Sequence, residues 1–403
     1  MLSIRRSKYP HIRLLGIDGI YTLCVALLPV LCLLNVPVVN ISLGTVLLLL
    51  FAPYAIVRIM MALKDGRPRI TAFFFFLFYL YLIFRADGSV SQMVLCAATF
   101  FHLWGIACGS VKTEKLRRYV ELYALLNAAL LLLQVLLYYG VHIKLPFLPA
   151  SLFHRDFRQS WVFRNEPGLY RPSALFLEPS HFAQYCCFAL ISFLFPREGK
   201  PNLIKAGFIA LGCVLSTSGM GIAMVCAIFA WYFLVSRVKL ESKLFYVFLF
   251  TPLVLLGLLL ILRLPFVQTA LRRVFSNVDG YNAVRGRTGQ WSRAIAPMAG
   301  TDLWFGYGNS ADYPYYLAGL ADTIYKFGLI GTLLEFACFL HLMFRKFDRY
   351  IWCCCLVFLA LFYVAHLTSF YSQIFYLGLA AAEAVASLRR PAPAGTIGGS
   401  QFV

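Results

Sequence analysis

Long apolar runs separated by short polar segments dominate the chain and set the first expectation for its fold. A helix needs about 20 mostly apolar residues to cross the hydrocarbon layer of a bilayer. Runs near that length predict spans at 13–34, 38–63, 70–84, 90–108, 119–139, 179–195, 203–215, 219–235, 244–262, 323–344, 351–367 and 370–388. The expected fold class is all-α, a polytopic integral membrane protein with about 12 transmembrane helices.

The apolar stretch at 203–235 is too long for one crossing, since a single helix of that length would extend about 50 Å. The polar, glycine-containing segment "STSGMG" at 216–221 divides it into two spans. This division keeps the short basic loops on the cytoplasmic side, as the charge bias of membrane proteins requires. It leaves two long extracytoplasmic loops, 140–178 and 263–322, and a cytoplasmic tail, 389–403, which we expect to be disordered.

Composition supports a membrane protein. The chain is 61% hydrophobic and 13% charged, whereas soluble domains carry about 25% charged residues. A net charge of +19 would suggest nucleic acid for a soluble protein, but most Lys and Arg fall in the predicted cytoplasmic segments, so no nucleic-acid partner is expected. The twelve cysteines avoid both long loops and are interpreted as small buried apolar residues. The sequence contains no nucleotide-binding loop and no metal-ligand spacing, so neither a cofactor nor a metal is expected.

Arginine is concentrated in the two long loops, where Lys144 is the only lysine. Its guanidinium group matches the oxygens of a phosphate better than an ammonium group does. Simple solvated charge is the alternative interpretation, and we favour an anion site. A lipid-linked pyrophosphate at the outer interface fits this position, with the candidate ligands Arg164, Arg171, Arg285, Arg287 and Arg293.

The segment "RPSALFLEPSHFAQY" at 171–185 opens the sixth predicted span. Pro179 suits the first turn of a helix, and Glu178 precedes it. Glu178 is either a favourable carboxylate at the helix N-terminus or a catalytic group. His181, within the first turn, is either structural or a proton-transfer group.

The second long loop carries further candidates. Trp291, beside the arginines, is either a wall for a sugar ring or an interfacial anchor, and Tyr313 is either a sugar contact or part of an aromatic belt. Gly306 and Gly308 predict a turn. Asp322 directly precedes the tenth predicted span, where it either caps the helix or accepts a proton from a sugar hydroxyl.

Several polar side chains lie within predicted spans, among them His102, Gln134, Gln184, Glu335, His341 and His366. Glu335, near the middle of its helix, is the most costly of these to bury. An ionisable group at that depth is a functional candidate, although pairing with a polar neighbour would also explain it.

These stretches have a family resemblance. The segment 171–185, with its "RPS…EPS" pattern, resembles the signature of bacterial O-antigen and capsule repeat-unit polymerases of the Wzy type. "LSTSGMGIAM" (215–224), "RTGQW" leading to "GYG" (287–308) and "ADTIYKFGLIG" (321–331) resemble further segments of that family. The overall plan, many helices with two long outer loops, also resembles that family, and this resemblance extends over nearly the whole chain.

The resemblance implies a glycosyltransferase that needs neither metal nor nucleotide, in the bacterial cytoplasmic (inner) membrane with its active site on the periplasmic side. Such polymerases move a growing glycan from undecaprenyl pyrophosphate onto a new lipid-linked repeat unit, for O-antigen, capsule or exopolysaccharide. Undecaprenyl-pyrophosphate-linked oligosaccharides, the lipid bilayer and a chain-length regulator are the partners it implies. Arg171, Arg287 and Arg293 would hold the pyrophosphate, Glu178 would orient Arg171 or a sugar hydroxyl, and Asp322 or His181 would take the acceptor proton.

Two alternatives remain. Related O-antigen ligases carry a histidine in the segment that matches 322–331, where this chain has Asp322 instead. A 12-helix transporter, in particular a flippase of lipid-linked glycans, would also bind pyrophosphate. Its cations should line an interior cavity, however, and here they gather in the outer loops.

Overall fold

A computed structural model of the protein describes residues 16–36, 41–64, 70–145, 147–148, 150–152, 170–196, 199–236, 289–314, 317, 319–345, 348–364, 374–375 and 377–383. The predicted span at 244–262 and the predicted tail at 389–403 lie outside the described residues. So do about half of the first long loop (146, 149 and 153–169), the first part of the second (263–288), and His366.

Helices account for nearly all regular structure in the described part of the chain. In order they are α1 Ile17–Leu31, α2 Leu43–Lys64, α3 Ile70–Phe84, α4 Val90–Ala107, α5 Thr113–Val141, α6 Pro179–Leu194, α7 Leu203–Leu215, α8 Gly219–Val235, α9 Trp291–Ile295, α10 Thr301–Phe305, α11 Gly319–Arg345 and α12 Arg349–Val364. A 3-10 turn covers Ala150–Leu152, and two short strands, β1 Asn35–Val36 and β2 Ile41–Ser42, pair antiparallel before α2. The predicted helical class is confirmed.

Four of the described helices are long and apolar enough to cross a membrane, namely α2, α4, α5 and α11. The apolar helices α1, α3, α7 and α8 are shorter. The ends of α7 and α8 coincide with the predicted segments 203–215 and 219–235, so the predicted division of the long apolar stretch is confirmed. The length and apolar composition of these helices are those expected of a helical membrane protein.

The centre of the bundle is α6. It packs against α5, α7, α8 and α12, and every side chain in it except that of His181 is buried. A helix that is apolar on all sides requires neighbours all round. Part of that cover comes from Phe375, whose ring stacks on Tyr185 at a centroid distance of 5.3 Å. A second group forms where α4 packs against α2 and α3, and α3 packs against α11.

A buried ion pair closes the end of the bundle at which α5 begins. Arg117 Nε donates to a carboxylate oxygen of Glu383, and both side chains are less than one-tenth exposed. The guanidinium lies over the ring of Tyr350, 3.8 Å from its centroid, and donates at 3.3 Å to the carbonyl of Phe195. This cluster therefore ties the start of α5 to the end of α6, the start of α12 and the segment 374–383.

Two histidines predicted within spans have structural partners. Tyr21 Oη and the carbonyl of Leu48 lie 2.9 and 2.8 Å from the two ring nitrogens of His102. Because a carbonyl only accepts, the proton belongs on Nε2, and Nδ1 accepts from the tyrosine. His341 Nε2 lies 3.0 Å from Thr71 Oγ1. Both histidines are hydrogen-bonded helix contacts, and His102 is buried while His341 is half-buried.

The other buried groups also follow the apolar character of the bundle. All twelve cysteines are free, and most are buried, which confirms their interpretation as small apolar residues. Glu335 is buried in α11 and interacts electrostatically with Tyr79 of α3, so the most costly charge of the predicted spans has a polar neighbour.

Candidate functional site

The candidate residues lie at one end of the bundle. Short turns at 85–89 and 108–112 join α3 to α4 and α4 to α5, so α3 and α5 both end on the side where α6 begins. We call this side the loop end. The Arg117–Glu383 pair marks the opposite end.

The backbone ahead of α6 is held by two buried amides of α5. Gln134 Oε1 accepts hydrogen bonds from the backbone N–H groups of Ser173 at 3.2 Å and Ala174 at 2.9 Å, while its Nε2 donates to the carbonyl of Leu145 at 2.8 Å. Two helical turns earlier, Asn127 Oδ1 accepts from the N–H of Leu175 at 3.2 Å. Non-helical backbone within an apolar bundle needs such partners. These hydrogen bonds attach residues 173–175 of the segment 171–185 to α5.

A tight turn follows within this segment. Ser173 Oγ donates to the carbonyl of Phe176 at 2.6 Å, and the N–H of Phe176 donates to the carbonyl of Ser173 at 2.9 Å. Ala174 has φ 51°, a left-handed conformation that is uncommon for alanine. The ring of Phe176 is buried against Tyr185, 5.5 Å away. The turn is thus fixed by its own hydrogen bonds, by the α5 amides and by an apolar anchor.

The turn leads directly into the first turn of α6. Pro179 begins the helix and Glu178 is its N-cap residue, as predicted. The Glu178 carboxylate makes no capping bond to the helix backbone but accepts from Ser180 Oγ at 3.0 Å. His181 is half-buried, with no hydrogen-bond partner for Nδ1 among the described residues. Arg171, also half-buried, lies two residues before the amide-held backbone. The structure thus places three predicted site residues on one short segment.

The break between α7 and α8 faces the same turn of α6. Ser218 is the N-cap of α8 and accepts from the N–H of Gly221 at 3.2 Å, and Ser216 Oγ donates to the carbonyl of Cys213 at 2.7 Å. A Cβ on Gly221 would lie 2.5 Å from the Cβ of Ala183. Only glycine permits this approach, so the "STSGMG" segment packs against α6 two residues after His181.

The second long loop is fastened to the turn between α3 and α4. Arg85 Nη2 donates to the carbonyl of Gly306 at 2.7 Å, and the carbonyl of Arg85 accepts from the N–H of Asn309 at 3.0 Å. Asp87 Oδ2 accepts from both the N–H and the hydroxyl of Ser310, at 3.0 and 2.8 Å. We call this set of contacts the clip.

The clip determines the charge state of Asp87. Partial desolvation raises the pKa of this carboxyl, but the two hydrogen bonds from Ser310 and the charge of Arg85 outweigh it, so its pKa lies below the ordinary value. The carboxylate is therefore ionised at neutral pH. The stability it contributes is present above the pKa of the unfolded chain, about 3.9, and is lost as the pH falls through the folded-state value.

The same loop meets a break in α11. Gly328 has φ 65°, which separates an outer part, 319–327, from an inner part, 329–345. The carbonyls at the end of the outer part accept from the loop and from α3: Lys326 from the N–H of Gly308 at 2.9 Å, and Phe327 from Tyr81 Oη at 2.7 Å. A Cβ on Gly306, which has φ 74°, would lie 2.4 Å from the backbone of Lys326. The predicted turn at Gly306 and Gly308 is confirmed, but the break in the tenth predicted span was not expected.

Asp322 differs from its predicted position. The helix begins at Gly319 rather than at residue 323, so Asp322 lies inside the first turn and the prediction that it directly precedes the helix is wrong. Its carboxylate is buried and pairs with Lys326 Nζ at 3.3 Å, one turn along α11. This ion pair gives Asp322 a structural role within α11.

The predicted sugar contacts pack against the outer part of α11. Trp291 and Tyr313 border an apolar cluster formed by Ala294, Leu317 and Ala321. The Tyr313 ring lies 5.4 Å from that of Tyr325 in an edge-on arrangement. Both aromatic side chains are partly buried and support the loop. Arg293, on α9, is exposed.

Three predicted pyrophosphate ligands, Arg164, Arg285 and Arg287, lie outside the described residues. The sequence pattern does not indicate the role of most residues that stabilise the described site. Asn127 stood inside an apolar span, and Arg85 and Asp87 stood in a five-residue turn. Their polar character in such places was the available signal, but their partners are distant in sequence.

The comparisons with known proteins add no assignment: no protein-family model matches this chain, and no curated protein matches its sequence.

Proposed function

We propose that the protein is a polymerase of undecaprenyl-pyrophosphate-linked oligosaccharide repeat units, resembling the Wzy type. In this proposal it has 12 spans, lies in the bacterial inner membrane and acts at the periplasmic side, which is the loop end. The observation that carries the proposal is the segment 171–181, because its backbone is bound by two buried amides and it bears Arg171, Glu178 and His181 beside the central helix.

The reaction needs an anion site next to a proton acceptor. The oxygen of an acceptor sugar hydroxyl attacks the anomeric carbon of the donor glycan, forming a glycosidic C–O bond as the C–O bond to pyrophosphate breaks. The lipid pyrophosphate leaves with the bonding electron pair, and the hydroxyl proton passes to a base. Arg171, with Arg164, Arg285, Arg287 and Arg293 from the outer loops, would neutralise the departing charge.

Among the proposed bases we favour His181 over Asp322. His181 is the only side chain of α6 that is not buried, so it is the one side chain of this helix that a substrate hydroxyl can approach. Asp322 already has Lys326 as its ion partner.

The test uses the purified full-length protein in liposomes with synthetic undecaprenyl-pyrophosphate repeat units and no nucleotide or metal. We expect a ladder of products from the wild type. Arg171→Ala should lower the rate by about 100-fold, the usual loss when one charge-stabilising donor is removed. Arg118→Ala is the matched control, because Arg118 is exposed near the opposite end of α5, and it should retain the ladder.

Other outcomes would overturn the proposal. A ladder of wild-type length and rate from Arg171→Ala would remove the pyrophosphate role of this residue. Transfer of glycan to a lipid A core without chain growth would indicate a ligase. Movement of the lipid-linked unit across the bilayer without a new glycosidic bond would indicate a flippase.

A further inference from the structure

Three aromatic side chains of the second long loop are exposed. Trp304 and Phe305 of α10 are 50% and 45% exposed, and Tyr307 is 40% exposed. Phe84 at the end of α3 and Val90 at the start of α4, which flank the turn held by the clip, are more exposed still. Large apolar groups that gather in this way mark a contact surface. We call Trp304, Phe305 and Tyr307 the aromatic foot.

The backbone of the foot lies at the level of the membrane helices. A Cβ on Gly328 would lie 2.3 Å from the carbonyl oxygen of Trp304, so the end of α10 directly touches the residue at which the inner part of α11 starts. That inner part, 329–345, extends about 25 Å, close to the thickness of the hydrocarbon layer. The foot therefore sits where a membrane helix enters the apolar layer.

A contact with α3 gives the same depth independently. Tyr81 Oη donates to the carbonyl of Phe305 at 3.1 Å and to that of Phe327 at 2.7 Å. Tyr81 lies about one turn before the end of α3 at Phe84. The backbone of Phe305 therefore lies beside the last turn of α3, a helix of almost entirely apolar composition, and not beyond the end of that helix.

We infer that the aromatic foot is a membrane-docking surface that inserts into the outer boundary of the phospholipid bilayer and fixes the second long loop to it. Tryptophan and tyrosine are the residues enriched at this boundary. The contacts with Tyr81 and Gly328 place the backbone of the foot at the depth of the apolar helices, where lipid is the expected neighbour rather than a water-soluble glycan. The inference does not depend on the proposed polymerase activity, since it concerns the bilayer and not the substrate.

Photo-crosslinking of the full-length protein tests the inference. Trp304 and Phe305 are replaced one at a time by p-benzoylphenylalanine, which on irradiation inserts into a nearby C–H bond. The protein is reconstituted in liposomes of phosphatidylethanolamine and phosphatidylglycerol, and phospholipid adducts are counted by mass spectrometry. Both aromatic-for-aromatic changes are at exposed positions, so folding should be retained, as monodisperse elution will show.

Ser292 provides the matched control. It is an exposed residue of α9, which packs near Ala321, seven residues and up to about 10 Å from Gly328 along α11. We expect at least about fivefold more phospholipid adducts at Trp304 and Phe305 than at Ser292, because the foot lies beside Gly328 at the start of the inner part of α11, whereas the control position lies up to about 10 Å farther from the apolar layer. Equal adduct yields at the three positions, or intact protein without lipid adducts at both foot positions, would overturn the inference.

Discussion

At the scale of single residues, two side-chain amides decide where the motif ahead of α6 lies. Gln134 is fully buried and satisfies three backbone groups, two as acceptor and one as donor. Asn127, on the same side of α5, satisfies a fourth. In an apolar bundle no water replaces these partners, so each backbone group depends on the amide opposite it.

Gln134→Leu should therefore lower the free energy of unfolding by about 3 kcal/mol, since it strands buried donors and an acceptor. Gln134→Glu keeps the acceptor oxygens but loses the amide donor, and its free energy of unfolding should lie between those of the wild type and Gln134→Leu. Thermal unfolding in detergent measures both. Gln92→Leu, a half-buried glutamine of α4, serves as the control and should change stability little. Equal stability of Gln134→Leu and Gln92→Leu would contradict this role.

The sequence predicted the residues at the start of α6 but not what holds them. Pro179 and Glu178 could be placed because helix N-termini have local chemical preferences. The contacts from Gln134 and Asn127 to residues 173–175 span 39 to 48 positions of the chain. Nothing local in an apolar helix indicates which distant backbone its amide will bind.

At the scale of elements, glycine and serine determine how helices meet at the loop end. The break between α7 and α8 was predictable, since "STSGMG" supplies a cap and a close-packing glycine in one short stretch. The break at Gly328 was not, because a glycine inside an apolar run is also common in continuous membrane helices. Only the approach of Trp304 to Gly328 explains it.

Two glycines offer a matched test of helix packing. Gly221→Ala should lower the free energy of unfolding by about 1–3 kcal/mol, the usual cost of overpacking, because its new methyl group would overlap Ala183. Gly207→Ala, in α7 with open space around it, should stabilise the helix by up to about 1 kcal/mol. Opposite signs in the shifts of apparent unfolding temperature are expected. A stabilising Gly221→Ala would mean that α8 does not pack on α6 as described.

At the scale of the whole molecule, the Arg117–Glu383 pair joins segments that are 266 residues apart. In the sequence, Arg117 stands just ahead of the predicted span 119–139, and Glu383 lies within the predicted span 370–388. Their pairing could not be read from local pattern, because it depends on how the final segment returns to α5. The ring of Tyr350 and the carbonyl of Phe195 complete the site.

Removing one partner leaves the other charge buried and unpaired. Arg117→Met or Glu383→Leu alone should lower the free energy of unfolding by about 3–5 kcal/mol, whereas the double variant should lose much less, because apolar replacement of a whole pair is often tolerated. A double-mutant cycle on thermal unfolding measures the coupling. Arg118→Met, at the exposed neighbour, is the control. Additive losses in the double variant would show that the two groups do not act as a pair.

The position of Glu383 also has a consequence for biogenesis. The ribosome synthesises Arg117 long before Glu383, its ion partner. The early helices therefore enter the bilayer before the guanidinium has this carboxylate. Final closure around α6 must wait for the last residues to be translated. A chain truncated before residue 374 would lack Glu383, and the guanidinium of Arg117 would then stay without this carboxylate.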